Sequence, residues 1–135
     1  MSQDDLKGGK ILTVKECYEQ AVGFLPELPE ENVGAQKYAV SWCNILLAET
    51  FRNENICRRA NNLPELSDIP KVTSMDDEIP YDEEIVRAAF PYGMARWVFR
   101  ENEDVSGSRE YYRLYVTALS EATPILENEI EDFYG

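Results

Sequence analysis

The chain has 135 residues, 44% of them hydrophobic and 11% aromatic, and its 26 acidic and 13 basic side chains give a net charge of −13. This size and apolar content predict one folded domain over residues 1–135, and the charge disfavours binding to nucleic-acid backbones or anionic membranes. Histidine is absent, which removes the commonest general base and transition-metal ligand, so we expect no catalytic residue, no metal site and no cofactor.

The first predicted helix follows a flexible lead-in over residues 1–11. Thr13 and Glu16 have the spacing of a capping box, in which each side chain accepts a hydrogen bond from the other residue's backbone N–H. Apolar residues then recur at helical spacing until Gly23 ends the pattern. Prolines and a glycine predict a loop over residues 24–34, whose first residues should fold back on the core.

The second predicted helix covers residues 35–60. Its wide apolar sector predicts burial on two sides, and one face is marked by Tyr38, Trp42, Ile45 and Glu49. Three cations lie near its end, where the helix dipole favours positive charge. They could also pair with an acidic segment of a neighbour, whereas three arginines on an acidic chain make a weak case for contact with nucleic acid: Arg52, Arg58 and Arg59.

The segment over residues 61–80, here called the arm, holds three prolines and has no helical period. Connections of this length without regular structure are uncommon in compact domains and usually serve as a functional loop, an arm or a linker, of which we expect an extended arm. Ile69, Val72 and Met75 alternate imperfectly with polar residues, which leaves open a short strand or hairpin. A carboxylate cluster near its end lacks the glycine and the alternating ligands of an EF-hand loop, which favours a solvated acidic loop over a metal site. The cluster consists of Asp76, Asp77 and Glu78.

The third predicted helix begins at Asp82, whose carboxylate can cap it. Pro91 lies in its middle, removes one backbone donor and collides with the carbonyl group four residues earlier, so the helix should kink or split into residues 82–90 and 91–100. Gly93 would allow another backbone to approach closely at this kink.

The fourth predicted helix begins near Ser108, after a polar loop over residues 101–108, and stops or bends at Pro124. Residues 124–135, here called the tail, are acidic but carry apolar anchors that are costly to leave in water. We therefore expect the tail to dock on a partner through Ile130, Phe133 and Tyr134. The pattern as a whole predicts an all-α fold of about four helices, with the arm between helices two and three.

Three cysteines fall within the helical patterns, without a paired CxxC spacing. An odd number of isolated cysteines is typical of small buried hydrophobic residues rather than of a disulfide or zinc framework. We therefore expect burial without disulfide bonds for Cys17, Cys43 and Cys57.

Two stretches resemble the helical head–tail adaptor, or connector, proteins of tailed bacteriophages. The first is DDEIPYDEEIVRAAFPYGMARWVFRENED at residues 76–104, with its acidic-Pro-Tyr-Asp step, a Pro-Tyr-Gly inside an alanine-containing helix, and an acidic loop. The second is YYRLYVTAL at residues 111–119, which is similar to the Tyr-rich last helix of those proteins. The similarity covers about a third of the chain.

The resemblance implies a structural virion protein without enzymatic activity. Such adaptors form a ring, commonly of twelve copies, that lies below the portal protein, extends the DNA channel and binds a tail or neck protein. DNA would pass through without specific binding, and no membrane is involved. The protein would be made in the cytoplasm of a bacterial host and end in the neck of the virion. The tail would reach the portal, and the cations of the second helix could pair with the arm's carboxylate cluster across a subunit interface.

Two other functions fit the composition. One is an acidic adaptor or inhibitor that binds a basic protein partner, for example as a mimic of DNA. The other is a small enzyme that uses carboxylates as acid and base, although no pair of carboxylates stands out as its active site.

Overall fold

The computed structural model describes residues 11–25 and 36–125, and within these ranges its regular elements are five α-helices, which confirms the all-α class for this part of the chain. The lead-in up to residue 10, most of the loop over residues 24–34 and the tail anchors Ile130, Phe133 and Tyr134 lie outside the described residues. The helices are α1 (Val14–Val22), α2 (Ala39–Glu49), α3 (Phe51–Ala60), α4 (Glu83–Glu101) and α5 (Val105–Ala122).

Helix α1 begins with the predicted capping box. The backbone N–H of Thr13 donates to Glu16 Oε1 at 3.0 Å, and the N–H of Glu16 donates to Thr13 Oγ1 at 3.1 Å. Gly23 caps the other end, and Phe24 beyond it stacks on Tyr92 of α4 at 5.3 Å between ring centroids. The expectation that the chain folds back on the core at this point is confirmed.

The prediction of one helix over residues 35–60 is wrong, because the chain breaks at Thr50 into α2 and α3. Thr50 is fully buried and its hydroxyl donates to the carbonyl oxygen of Leu46 at 2.8 Å. Threonine side chains that bond back to the preceding turn compete with regular helical geometry, and the backbone of Thr50 leaves the helical region at φ −108° and ψ 9°.

Helix α4 is the central element and packs against α1, α2 and α5. Asp82 caps it as predicted, accepting the N–H of Glu84 at 2.9 Å. The helix continues through Pro91, so the predicted split into two helices is wrong, whereas a bend at this residue stays a prediction. Pro91 is itself buried, and burial of α4 on several sides offsets the roughly 3 kcal/mol that an internal proline costs.

Helix α5 begins at Val105, three residues before the predicted start, because the carboxylate of Asp104 caps it by accepting the N–H of Gly107 at 2.8 Å. The connection from α4 is therefore shorter than the predicted loop over residues 101–108. Phe99 and Tyr111 stack across it at 4.8 Å, so the two helices run antiparallel. The helix ends at Ala122, as the following Pro124 predicted.

The arm contains no helix, as predicted, and it is held against its own chain. Ile79 N–H donates to Leu12 at 2.9 Å, and Val14 N–H donates to the carbonyl of Asp77 at 3.0 Å. Val72 and Ile79 are buried in the core, at 3% and 0% exposure. Contact between the arm and an adjacent subunit stays a prediction.

Two asparagines fix the arm to the helices. Asn44 of α2 donates to the carbonyl oxygen of Val72 at 2.9 Å and accepts its N–H at 2.8 Å. Asn55 of α3 binds Leu66 in the same way, at 3.1 and 2.7 Å. Each side-chain amide thus satisfies both backbone groups of one arm residue, as a neighbouring strand would.

The three cysteines are free and buried, as predicted: Cys17, Cys43 and Cys57. Burial raises the pKa of the Cys43 thiol to about 12, and burial together with nearby carboxylates raises that of Cys57 to about 11. Both therefore stay protonated at neutral pH and act as small apolar residues.

Candidate functional site

Arg96 of α4 lies among aromatic side chains from two helices. Its guanidinium carbon is 3.8 Å from the ring centroid of Trp97, 4.9 Å from that of Tyr112 and 5.6 Å from that of Tyr115. Its Nη2 also pairs with Glu49 Oε1 of α2 at 3.3 Å, and only 13% of the arginine side chain is exposed. Arginine stacks on aromatic rings in this way because its charge is delocalised over a plane.

Glu49 joins this arginine to α5. The hydroxyl of Tyr115 donates to Glu49 Oε1 at 2.9 Å. Burial, and then the neighbouring negative charge of Glu49, raise the pKa of Tyr115, so the hydroxyl remains a donor. One carboxylate thus binds a cation from α4 and a hydroxyl from α5, which fixes the relative positions of three helices.

The aromatic surface continues along α2. The rings of Trp42 and Trp97 stack at 6.2 Å between centroids, and Tyr38 lies 5.9 Å from Trp42. Lys37 Nζ lies 5.1 Å from the centre of the Tyr38 ring. Tyr38 and Ile45, which the sequence placed with Trp42 on a core-facing stripe, are 41% and 43% exposed.

Helix α5 extends the same surface on the other side of Arg96. Tyr112 and Val116 are 47% and 46% exposed. Arg109 and Arg113 are exposed and lie three residues before Tyr112 and Val116 respectively, and so belong to the same stripe of the helix. We call the combined surface the basic aromatic face; its exposed apolar members are Tyr38, Ile45, Tyr112 and Val116.

The basic aromatic face, as defined here, carries more cations than carboxylates, although the whole chain carries −13. Its carboxylates Glu49 and Glu110 are each paired with an arginine, at 3.3 and 2.6 Å. The charged residues of this surface therefore include two more cations than carboxylates. Aromatic rings lie between the cations. Its cations are Lys37, Arg96, Arg109 and Arg113.

An acidic cleft of about 430 Å³ lies at the junction of α3, the start of α4 and the end of α5. Four carboxyl groups and Pro124 contribute to its lining, the acids being Asp82, Glu83, Glu84 and Glu121. Glu121 is nine residues, or about two and a half helical turns, from Tyr112, so the cleft and the basic aromatic face lie on opposite flanks of α5. Within residues 11–25 and 36–125, side chains form no cluster suited to hold a metal ion.

The predicted interface cations have partners within the chain. Arg58 Nε lies 2.7 Å from Glu54 Oε2, and its Nη1 donates to the carbonyl oxygen of Pro64 at 3.2 Å. Arg59 lies 3.8 Å from Glu65 in the arm. Arg52 is on the exposed side of α3. Pairing of Arg52, Arg58 and Arg59 with a neighbouring subunit's carboxylates stays a prediction.

The arm's carboxylate cluster has a local structural role that the sequence did not reveal, in which Asp77 acts through its carboxylate and Asp76 and Glu78 act through backbone groups. Asp77 Oδ2 accepts the N–H groups of Thr73 at 2.8 Å and Ser74 at 3.1 Å, and these hydrogen bonds lower the pKa of Asp77. The N–H of Asp76 donates to Ser74 Oγ at 3.1 Å, and Glu78 forms an isolated bridge with Thr13. The cluster therefore stabilises the turn that lies against α1.

Gly93 is at the point where α2 and α5 approach α4. A Cβ atom added there would lie 2.5 Å from Leu46 Cδ2 and 2.9 Å from Tyr115 Cδ1. The close approach that the sequence predicted is made by side chains of two neighbouring helices, beside Pro91.

Sequence reasoning missed the basic aromatic face as a site. The feature of the sequence that could have indicated it is the stripe of α5 with Arg109, Tyr112 and Val116. Cations alternate there with apolar residues, next to the core-facing Tyr115. Helical spacing predicts that such residues share a face, but burial depends on which neighbours cover that face.

Comparison of the chain with protein-family models, curated proteins and solved structures found no match. Within the described part of the chain, none of the helices combines the length and apolar character needed to cross a membrane. What the protein does must therefore be inferred from its own residues and surfaces.

Proposed function

We propose that the chain is a structural virion protein of a tailed bacteriophage, a head–tail adaptor. In this proposal, copies form a ring below the portal protein, extend the DNA channel and bind a tail or neck protein. The observation that carries the proposal is the presence of two unlike surfaces on opposite flanks of α5, the basic aromatic face and the acidic cleft. Ring contacts are heterologous, so a subunit needs two different surfaces.

The composition of the basic aromatic face supports binding of a protein. Tryptophan, tyrosine and arginine dominate the energetically important positions of protein interfaces. Arg96, Trp97 and Tyr112 provide these residue types in contact with each other. The resemblance of residues 76–104 and 111–119 to adaptors supports the assignment to a virion neck. The proposal includes no catalytic residue and no cofactor.

The charge of the chain supports a channel role. A ring with acidic walls repels the phosphate backbone and lets DNA pass without being held. In this proposal the channel wall is acidic, and the protein requires no contact with a specific base sequence.

Co-sedimentation with portal-containing capsids tests the proposal. The wild-type protein is expected to sediment with the capsids, and Tyr112→Glu is expected to reduce the bound fraction, because it places a charge in the basic aromatic face. Ser67→Glu is the matched control, since it adds the same charge at an exposed residue of the arm, outside that face. A wild-type protein that stays in the supernatant would contradict the proposal.

The acidic cleft favours one other function, an acidic inhibitor that binds a basic protein in place of DNA. Asp82, Glu83 and Glu84 present three carboxyl groups in succession at this cleft. A mimic of this kind would displace DNA from its target, whereas an adaptor would not. Competition between the chain and DNA for a basic protein distinguishes the two functions.

A further inference from the structure

We propose that the basic aromatic face binds the tail of a second copy of this chain, so that copies associate head to tail. The tail carries four side-chain carboxylates and no basic side chain, together with large apolar side chains that include Ile130, Phe133 and Tyr134. The resemblance implies that the tail reaches the portal; the charge and shape of the chain point instead to the neighbouring copy. This contact does not depend on the portal role.

Charge limits where two copies can meet. Each copy carries −13, so most of their surfaces repel each other. The basic aromatic face is suited to contact with an acidic segment, because Lys37, Arg109 and Arg113 lie on it with the partly exposed Arg96. A tail with four negative charges is complementary to such a surface, and complementary potentials fix the register of a contact and speed its formation.

The apolar groups match as well. Tyr38, Tyr112 and Val116 are 41–47% exposed, and they are separated by cations rather than covered by other elements. The rings of Phe133 and Tyr134 can pack against exposed tyrosines in edge or offset geometry. Arg96 is already held by Glu49 and by ring stacking, so binding does not have to order that side chain.

The position at which the tail leaves the domain favours binding of the tail to a neighbouring copy over binding to its own subunit. The tail leaves α5 at Pro124, which lines the acidic cleft, and Ile125 beside it is 81% exposed. The carboxyl groups of Asp82, Glu83 and Glu84 repel the tail's own carboxylates at this point. The basic aromatic face of the same subunit lies on the other flank of α5, so the tail would have to pass around the helix to reach it.

The tail is long enough for a contact between subunits. An extended chain covers at most about 3.3–3.6 Å per residue, so Ile130 to Tyr134 can lie roughly 16–32 Å beyond Ile125. That reach exceeds the 8–10 Å spacing of packed helices. Because the tail and the face are different surfaces of one chain, repeating the contact closes a ring or extends a filament.

Charge reversal in two separate variants tests the contact. Arg109→Glu with Arg113→Glu reverses the face, and Glu129→Lys with Glu131→Lys reverses the tail. Lys15→Glu with Lys71→Glu is the control for the face variant, because it makes the same change in net charge at exposed positions on α1 and the arm. Circular dichroism and thermal melting check that each variant folds, and sedimentation velocity measures association.

The wild type is expected to associate as its concentration rises, and the control is expected to do the same. The association of each reversed variant alone should be weaker than that of the wild type by a factor of about ten or more. An equimolar mixture of the two should regain association, because the intact tail of the face variant can bind the intact face of the tail variant. A labelled tail peptide should bind the full chain and not portal rings.

Any of four results in the association measurements would overturn the proposal. These are a wild type that stays monomeric at every concentration, a tail variant that associates as the wild type should, and a mixture of the two variants that does not regain association. The fourth is a control variant whose association is as weak as that of the face variant. A tail peptide that binds only portal rings would also overturn it, in favour of the portal contact. Failure of these tests leaves the adaptor role intact, since capsid binding is measured separately.

Discussion

The side-chain amide of Asn44 makes two hydrogen bonds to the backbone of Val72, which lies 28 residues further along the chain. The two bonds, of 2.9 and 2.8 Å, tie the arm to α2 where Val72 is buried. They explain how a segment with three prolines and no helix can occupy one position on the surface of the domain.

Asn44→Ala should lower the free energy of unfolding by about 1–3 kcal/mol, because it leaves the N–H and the carbonyl group of Val72 buried without partners. Urea denaturation measures the change. Asn61→Ala is the control: Asn61 is exposed, and its side chain bonds to the carbonyl of Cys57 in its own helix. The control should change stability by no more than about 0.5 kcal/mol. Equal effects of both substitutions would contradict the role assigned to Asn44.

The stability of the protein should depend on pH through Glu54. This carboxylate is 2% exposed, accepts the N–H of Asp82 at 2.7 Å and pairs with Arg58 at 2.7 Å. Burial dominates these contacts and raises the pKa of Glu54 above its ordinary value of 4.5. The contribution of Glu54 is therefore fully present below pH 4.5 and is lost as the pH rises through the raised pKa.

Comparison with Glu54→Gln isolates this contribution, since glutamine has nearly the same shape and does not titrate. The wild type should lose unfolding free energy relative to the variant as the pH rises from about 4 to 7. Urea unfolding at several pH values measures the difference. A wild type that gains stability relative to the variant over this range would show that the two hydrogen bonds, and not burial, decide the pKa of Glu54.

Gly93→Ala should destabilise the protein although alanine is the better helix former. The new methyl group would lie 2.5 Å from Leu46 Cδ2, and Leu46 is fully buried and cannot move freely. Overpacking of this kind costs about 1–3 kcal/mol, against a gain in helix propensity of about 1 kcal/mol. Ala88→Gly, at an exposed position of the same helix, gives the propensity effect alone. A stabilised Gly93→Ala protein would contradict the packing at this site.

Arg96→Lys should weaken the contact between α2, α4 and α5 and so lower the stability of the protein, although the positive charge is kept. Lysine lacks the planar group that stacks on Trp97 and Tyr112, so a loss of about 1–2 kcal/mol is expected. Tryptophan fluorescence during thermal unfolding reports the change, because Trp97 lies in the contact. Arg100→Lys, at an exposed position one turn further on, should leave the melting temperature nearly unchanged. Similar shifts for both variants would argue against the stacking.

The cysteines should be unreactive in the folded protein. Burial raises the pKa of Cys17, and raises that of Cys43 to about 12 and Cys57 to about 11, so little thiolate is present at pH 8. A thiol reagent should label all three only after denaturant is added. Rapid labelling of any cysteine in native buffer would show that its helix opens locally.

Local signals in the sequence predicted the helix ends well. Thr13 with Glu16, Asp82 and Pro124 act through neighbours three or four residues away at most, so their effect is readable without knowing the fold. The cap at Asp104 and the break at Thr50 were missed. The hydroxyl of Thr50 competes with the helix only where the side chain is buried. The continuity of α4 through Pro91 depended likewise on packing by other helices.

Long-range pairings and exposure could not be predicted. The bonds between Asn44 and Val72 join residues far apart in the sequence, and neither residue type specifies a partner. Tyr38 and Ile45 have the spacing of a core-facing stripe but lie on the surface. Periodicity indicates which residues share a face, and only the packing of the other elements decides whether that face is covered.

The most direct test of the adaptor role is electron cryo-microscopy of portal rings with and without the protein. The account predicts an added ring below the portal, coaxial with the DNA channel, in which each subunit contains the five helices described here. Portal rings that look the same in both samples, at protein concentrations well above those of the portal, would contradict the adaptor role and leave the acidic inhibitor as the function to test.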